Sequence, residues 1–188
     1  MIKIGIVGDI GSGKSYVSEN FGYPVFNADY EVSKLYQQNK NVFNNLKKKL
    51  PKYIHSFPIN KIEITNAILA NKNNLNKIIK IVHTEITKKM NLFLKKNKNS
   101  KIVILDIPLL LENKINNKDD ILVYVHASKF NILKRLKKRK NFNKELIKKF
   151  KAVQLPISYK KTKSHYIIKN NFTKKSVKNG IKGILRKI

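Results

Sequence analysis

Apolar positions along this chain fall into two patterns. Short β-branched runs alternate with longer stretches in which apolar residues recur every three or four positions. Ile2 to Val7 is the first run, ends at Gly8 and reads as a buried strand. A glycine loop and a helix from about Lys14 follow. Tyr23-Pro24-Val25-Phe26 reads as a second short strand, closed by Asn27-Ala28-Asp29. From Tyr30 to about Met90 the pattern is helical and polar, broken near Pro51 and Pro58, with Ile78, Ile79, Val82 and Ile86 as an apolar stripe. Residues 101–106 form the clearest central strand and 121–125 another. Ser128 is placed to cap a helix carrying Ile132, Leu133 and Leu136 on one face. A lysine-rich stretch over 137–163 precedes a last strand at 166–168 and a last helix at 174–187.

Strands that alternate with helices predict an α/β fold, with a central parallel sheet of about five strands covered on both faces. The chain of 188 residues shows no internal repeat and no long Pro/Gly/Ser linker, so the expectation is a single domain over 1–188. A hydrophobic content of 41%, with eight Tyr and nine Phe, separates it from disordered chains. The absence of Cys excludes disulfides and thiolate metal sites. The N-terminal apolar run is too short for a signal-peptide core, and no stretch reaches the roughly 20 apolar residues that span a bilayer. A soluble cytoplasmic protein with no membrane partner is expected.

The formal charge of +30 raises a nucleic-acid or anionic-membrane partner. Its distribution argues otherwise. Lysines occur in nearly every segment, mixed with Asn and Ile, whereas Arg occurs only at positions 135, 139 and 186. Dispersed charge predicts no specific nucleic-acid binding.

Gly8-Asp9-Ile10-Gly11-Ser12-Gly13-Lys14-Ser15 fits G-x-x-x-x-G-K-[ST] at every fixed position, with a strand before it and a helix after it. Glycines let the backbone curl so that successive N–H groups face phosphate oxygens. Lys14 supplies a point charge for the β- and γ-phosphates, and Ser15 a hydroxyl for Mg²⁺. ATPases, GTPases and kinases share such a loop. Asn117-Lys118-Asp119-Asp120 spells the guanine-reading N-K-x-D of GTPases, but it precedes a strand instead of following one and reads as an exposed loop. A D-x-x-G switch is missing, since Asp106 is followed by Ile107-Pro108-Leu109.

Asp29 lies just past the second strand, where a carboxylate can accept the proton of an incoming hydroxyl or simply cap the helix starting at Tyr30. Asp106 ends the central strand, either helping to hold a magnesium water shell or capping a turn.

Taken together, these pieces resemble the dephospho-coenzyme A kinase family. The matching residues are Gly8 to Ser15, Asn27-Ala28-Asp29 for the family's D-A-D, His83 for its H-P, and Asp106-Ile107-Pro108-Leu109-Leu110-Leu111-Glu112 for its D-x-P-L-L-x-E. Arg135 and Arg139 match its lid-proximal arginines, Ala152-Val153-Gln154 with Lys160 its lid helix, and Ile167-Ile168-Lys169-Asn170 its I-D-N. The likeness runs from Ile4 to about Leu185. It implies a P-loop kinase three-layer fold with a helical acceptor-binding insertion near 40–98 and a lid near 140–162. It implies ATP and Mg²⁺, phosphorylation of the ribose 3′-hydroxyl of dephospho-CoA, Asp29 as the base, and Lys14 and Arg135 as charge stabilisers. It also implies an ATP site of Gly8, Gly11, Ser12, Gly13, Lys14, Ser15, Tyr16, Arg139 and Asn170. An acceptor site of Asp29, Lys61, His83, Asp106, Pro108, Leu109 and Leu110 would face it. Two arginines in a chain of lysines suit sites where a planar fork is needed.

The chain departs from the family pattern at Val7 for Thr, Asn27 for Asp, Thr84 for Pro, Lys61 for Arg and His165 for Asp. Two other classes stand beside this reading. A nucleoside monophosphate kinase would show an arginine-rich acceptor site, yet 30–130 holds no Arg. A basic nucleic-acid-binding protein with a vestigial ATP site would need a clustered basic face with stacking aromatics. The oligomeric state favoured is the monomer.

Overall fold

The computed structural model describes residues 1–140 and 142–188, leaving aside the side chain of Lys72. The elements run β1 (Ile2–Gly8), α1 (Lys14–Asn20), β2 (Val25–Asn27), α2 (Ala28–Gln38), α3 (Lys40–Lys49), α4 (Lys61–Ala70) and α5 (Lys72–Lys96). They continue β3 (Ile102–Asp106), β4 (Ile121–His126), α6 (Lys129–Lys137), α7 (Lys144–Ala152), α8 (Ile157–Thr162), β5 (Tyr166–Lys169) and α9 (Lys174–Leu185). They form two compact units. One comprises 1–27, 94–142 and 154–188; the other comprises 28–93 and 143–153.

The first unit is built on a five-stranded, wholly parallel sheet in the order β2-β3-β1-β4-β5. The central strands are β-branched and apolar because helices cover both of their faces. Ile4, Ile6, Ile102, Ile104, Val123, Val125 and Ile168 make the sheet's share of the core. Val17 and Phe21 of the α1 region and Val177, Ile181 and Ile184 of α9 pack onto them. Each such aliphatic side chain contributes roughly 1.5–3 kcal/mol of burial. Gly5 stays small because a Cβ there would meet Leu110 Cδ2 at 2.5 Å and Leu122 Cδ2 at 3.0 Å. In this strand order the chain leaves β1 toward one side and later returns to the other. A crevice therefore opens at the carboxyl ends of the strands.

The second unit is helical. Asn39, Asn60 and Asn143 cap α3, α4 and α7, each accepting an N–H of the first turn at 2.9 Å. Leu35, Val42, Leu46, Ile54, Ile64, Ile68, Leu75, Ile78 and Val82 are buried within it. Glu63 accepts the N–H groups of His55 and Ser56 at 3.2 Å, holding the turn before α4.

Several local expectations are corrected. The second strand is Val25–Asn27 and α2 begins at Ala28, so Asp29 sits inside the first helical turn and not at its cap. Leu133 does not share the buried face of α6; it is 54% exposed, while Ile132 and Leu136 are buried. The segment 117–120 is not simply exposed. Ile4 pairs with Ile121, which brings Lys3 within 2.9 Å of the buried Asp120, whose second oxygen accepts the Asn117 N–H. The lysine-rich stretch resolves into α7 and α8, with Pro156 at the start of the latter.

Candidate active site

The loop between β1 and α1 closes on itself. The Ser12 N–H donates to the Asp9 carbonyl at 3.2 Å and the Ile10 N–H to Asp9 Oδ1 at 2.7 Å. Lys14 Nζ donates back to the carbonyls of Gly8 at 3.2 Å and Asp9 at 3.0 Å, which holds its charge over the loop. Gly13 has φ 92°, a left-handed value that favours glycine. A Cβ at Gly13 would run into the Asn170 amide and come within 3.0 Å of Arg135 Nη1, so glycine is what lets these two side chains reach the loop. Ser12 Oγ is buried and has no partner among the described residues. An orphaned hydroxyl in a glycine cradle under a lysine charge fits a polyphosphate group that completes the hydrogen bonding.

Asn170, 3% exposed, follows β5 and donates its amide to the Ser12 carbonyl at 2.8 Å while its Oδ1 accepts the Phe172 N–H at 2.8 Å. Its side chain thus ties the end of the sheet to the phosphate loop. Phe172, itself at φ 64°, lies under the guanidinium of Arg135 at 5.2 Å. Burial first, then the charge of Arg139, holds the Arg135 pKa below its ordinary value. A guanidinium stays protonated nonetheless. The exposed Arg139 lies one turn further on. Around this stack is a cavity of about 380 Å³ lined by Tyr16, Asn131, Lys134, Arg135, Asn170 and Phe172. Flat aromatic and guanidinium surfaces beside several cations suit a planar base carrying phosphates.

Asp106, 4% exposed, ends β3 beside β2, and Asn27 Nδ2 donates to its Oδ2 at 3.1 Å. Pro108 and Leu109 follow, half-buried. Leu110, also expected at the acceptor, is 1% exposed and packs over Gly5, which holds the turn. No group of three or more His, Cys, Asp or Glu gathers as a metal cage among the described residues. Ser15, half-buried at the start of α1, fits a Mg²⁺ held mainly by phosphates and water.

The helical unit carries the other expected residues. Asp29 is exposed in the first turn of α2, and Lys61 is exposed at the start of α4. His83 is half-buried on α5, with Nε2 buried and unpartnered among the described residues.

The departures have local accounts. Val7 is 5% exposed and belongs to the core. The Thr84 hydroxyl donates within its own helix to the Lys80 carbonyl at 3.4 Å. His165 Nδ1 accepts the Leu122 N–H at 3.0 Å, so an imidazole provides the acceptor that a carboxylate would. The sequence reading missed Phe172 as a site residue. A lone aromatic after Asn170-Asn171 carries no motif, and only its left-handed backbone turns it under Arg135.

A phosphate loop at the carboxyl end of the central strand of a five-stranded parallel sheet, with an arginine and an aromatic stacked beside it, defines a P-loop kinase. The dephospho-CoA kinase family model matches residues 2–176, and the chain belongs to that family. A dephospho-CoA kinase of Wolbachia pipientis wMel is 33% identical over 187 residues, covering 97% of this chain and 95% of the relative. The fold is also that of a solved structure from Thermus thermophilus, with TM-score 0.75, 23% identity and coverage of 100% and 97% of the two chains. Dephospho-CoA kinase from Campylobacter jejuni superposes with TM-score 0.62 at 19% identity, covering 98% and 96%.

Proposed function

We infer that this chain carries out the reaction of its family, transferring the γ-phosphoryl group of ATP to the ribose 3′-hydroxyl of dephospho-CoA to complete coenzyme A. The observation that carries this reading is the assembly around Gly13, where Lys14, Arg135 and Asn170 from three distant segments meet at one phosphate loop.

In this reading Gly8, Gly11, Ser12 and Gly13 cradle the β- and γ-phosphates through backbone donors. Lys14 and Arg135 neutralise charge on the transferring group. Arg139 adds a second fork to the phosphates, and Tyr16 with Phe172 flanks the base. Ser15 would hold Mg²⁺ directly and Asp106 through water, and the ion would supply positive charge to offset that of the β- and γ-phosphates. Lys61, His83, Pro108 and Leu109 hold the acceptor, and Asp29 holds its hydroxyl in line. As the 3′-O–P bond forms and the bond to the β-phosphate oxygen breaks, the hydroxyl proton passes to Asp29 and ADP leaves. The helical segment 40–98 serves the acceptor and 140–162 acts as a lid.

No helix among the described residues is long and apolar enough to cross a membrane. We place the enzyme in the cytoplasm as a monomer, with nucleic acid bound only weakly through its dispersed lysines. A coupled ATP-turnover assay comparing dephospho-CoA with AMP, CMP and shikimate tests the reading. Turnover with dephospho-CoA at least tenfold above the other acceptors is expected, and equal or higher turnover with another acceptor would replace it.

A further inference from the structure

The most deeply buried charged residue described in the sheet-bearing unit is not one of those of the phosphate loop. Lys160 of α8 is 2% exposed, and its Nζ lies 2.7 Å from Oε1 of Glu112, which is 8% exposed. The same Oε1 accepts the N–H of Leu155 at 3.0 Å. Lys160 Nζ also donates to Oε1 of Gln154 at 3.3 Å. The carboxylate of Glu112 therefore holds two points of the segment 154–160, Leu155 and Lys160, and Lys160 in turn holds a third, Gln154.

Stability does not account for this arrangement. Taking two charges out of water is costly, and an apolar pair of the same volume in such a place is often as stable or more so. An apolar pair, however, has no direction. It could not grip the Leu155 N–H or orient Gln154. What the ions supply here is geometry.

The two ends of the network show what that geometry serves. Glu112 sits six residues beyond Asp106. The chain over 107–115, which carries Glu112, is wound tight by bonds from Leu110 N–H to Ile107 O at 3.2 Å, Asn113 N–H to Leu109 O at 3.1 Å and Ile115 N–H to Leu110 O at 3.0 Å. Leu110 is wedged over Gly5, just ahead of the phosphate loop. At the other end, the chain passes from the helical unit back into the sheet-bearing unit between Val153 and Gln154. Gln154 and Leu155, the first residues after that passage, are the ones the pair holds.

We propose that Glu112 and Lys160 are positioning residues for phosphoryl transfer. Their ion pair fixes the point at which the segment 143–153 rejoins the sheet and locks that point to the turn bearing Asp106. The proposal rests on the kinase reading above. It assigns the pair no contact with either substrate. Its loss acts on the alignment of reacting groups and leaves ATP binding in the pocket of Arg135 and Phe172 intact.

The test is the double variant Glu112→Leu/Lys160→Met, which removes both charges at similar volume. Thermal melting is expected within a few degrees of the wild type. With dephospho-CoA and ATP, kcat is expected to fall about tenfold or more while KM for ATP moves less than about twofold. Hydrogen exchange is expected to show that a non-hydrolysable ATP analogue protects 143–153 in the wild type and not in the variant. That readout needs no turnover, so it stands apart from the identity of the acceptor. A wild type that leaves dephospho-CoA untouched yet shows the analogue-dependent protection would overturn the acceptor and spare the pair. A double variant with wild-type kcat and wild-type protection would reduce the pair to packing. Should the double variant fail to fold, Gln154→Leu removes one link at a half-buried position. A fall in kcat of about threefold with unchanged melting supports the proposal, and an unchanged kcat counts against it.

Discussion

The side-chain amide of Asn27 donates to the carboxylate of Asp106 at 3.1 Å, across the paired ends of β2 and β3. The family pattern has a carboxylate where Asn27 stands, which would set two acids at this register. Here an amide dipole replaces one of them and donates to a buried carboxylate. Asn27→Asp is expected to destabilise the metal-free protein by about 1.5–3 kcal/mol, the worth of a hydrogen bond to a charged group. Added Mg²⁺ should recover part of that loss. Melting curves with and without Mg²⁺ check this, and an Asn27→Asp protein that melts like the wild type in EDTA would contradict it.

Lys14 holds its ammonium over the loop by bonding the Gly8 and Asp9 carbonyls. Lys14→Ala removes the fixed charge from the γ-phosphate, and kcat is expected to fall by roughly 10²–10³. Single-turnover kinetics at saturating ATP measures it. Activity within a few-fold of the wild type would remove this loop from the chemistry.

Asp29 lies in the first turn of α2, where a carboxylate also favours the positive end of the helix. Asp29→Asn keeps the shape and a hydrogen bond to the hydroxyl but loses the base. Turnover is expected to fall by roughly 10² or more, with less than about 1 kcal/mol lost in stability. A variant that turns over dephospho-CoA normally would show that the base lies elsewhere.

Phe172 combines a left-handed backbone with a cation–π contact to Arg135. Asn tolerates that backbone, so Phe172→Asn removes the ring and spares the turn. KM for ATP is expected to rise about threefold to tenfold, the worth of the stack, with kcat nearly unchanged. Steady-state kinetics decides between this outcome and a ring that only packs.

The sequence by itself determined the parallel sheet, because apolar β-branched runs such as 102–105 and 121–125 have few other stable arrangements. It determined the phosphate loop as well, because the loop's chemistry depends on backbone conformation and adjacent residue types, which are local. Even so, it misplaced the start of α2 by two residues and the outward face of Leu133, since helix ends and stripe edges depend on what packs against them. Only the tertiary structure decided the partnerships between distant segments. The strand order brings Asn170 to Ser12 and Asn27 to Asp106. The close packing over Gly5 turns Leu110 inward, and the course of the chain after β3 delivers Glu112 to Lys160. Such contacts join residues tens of positions apart. No periodicity or spacing along the chain encodes them, because they are set by how buried faces stack once the elements have formed.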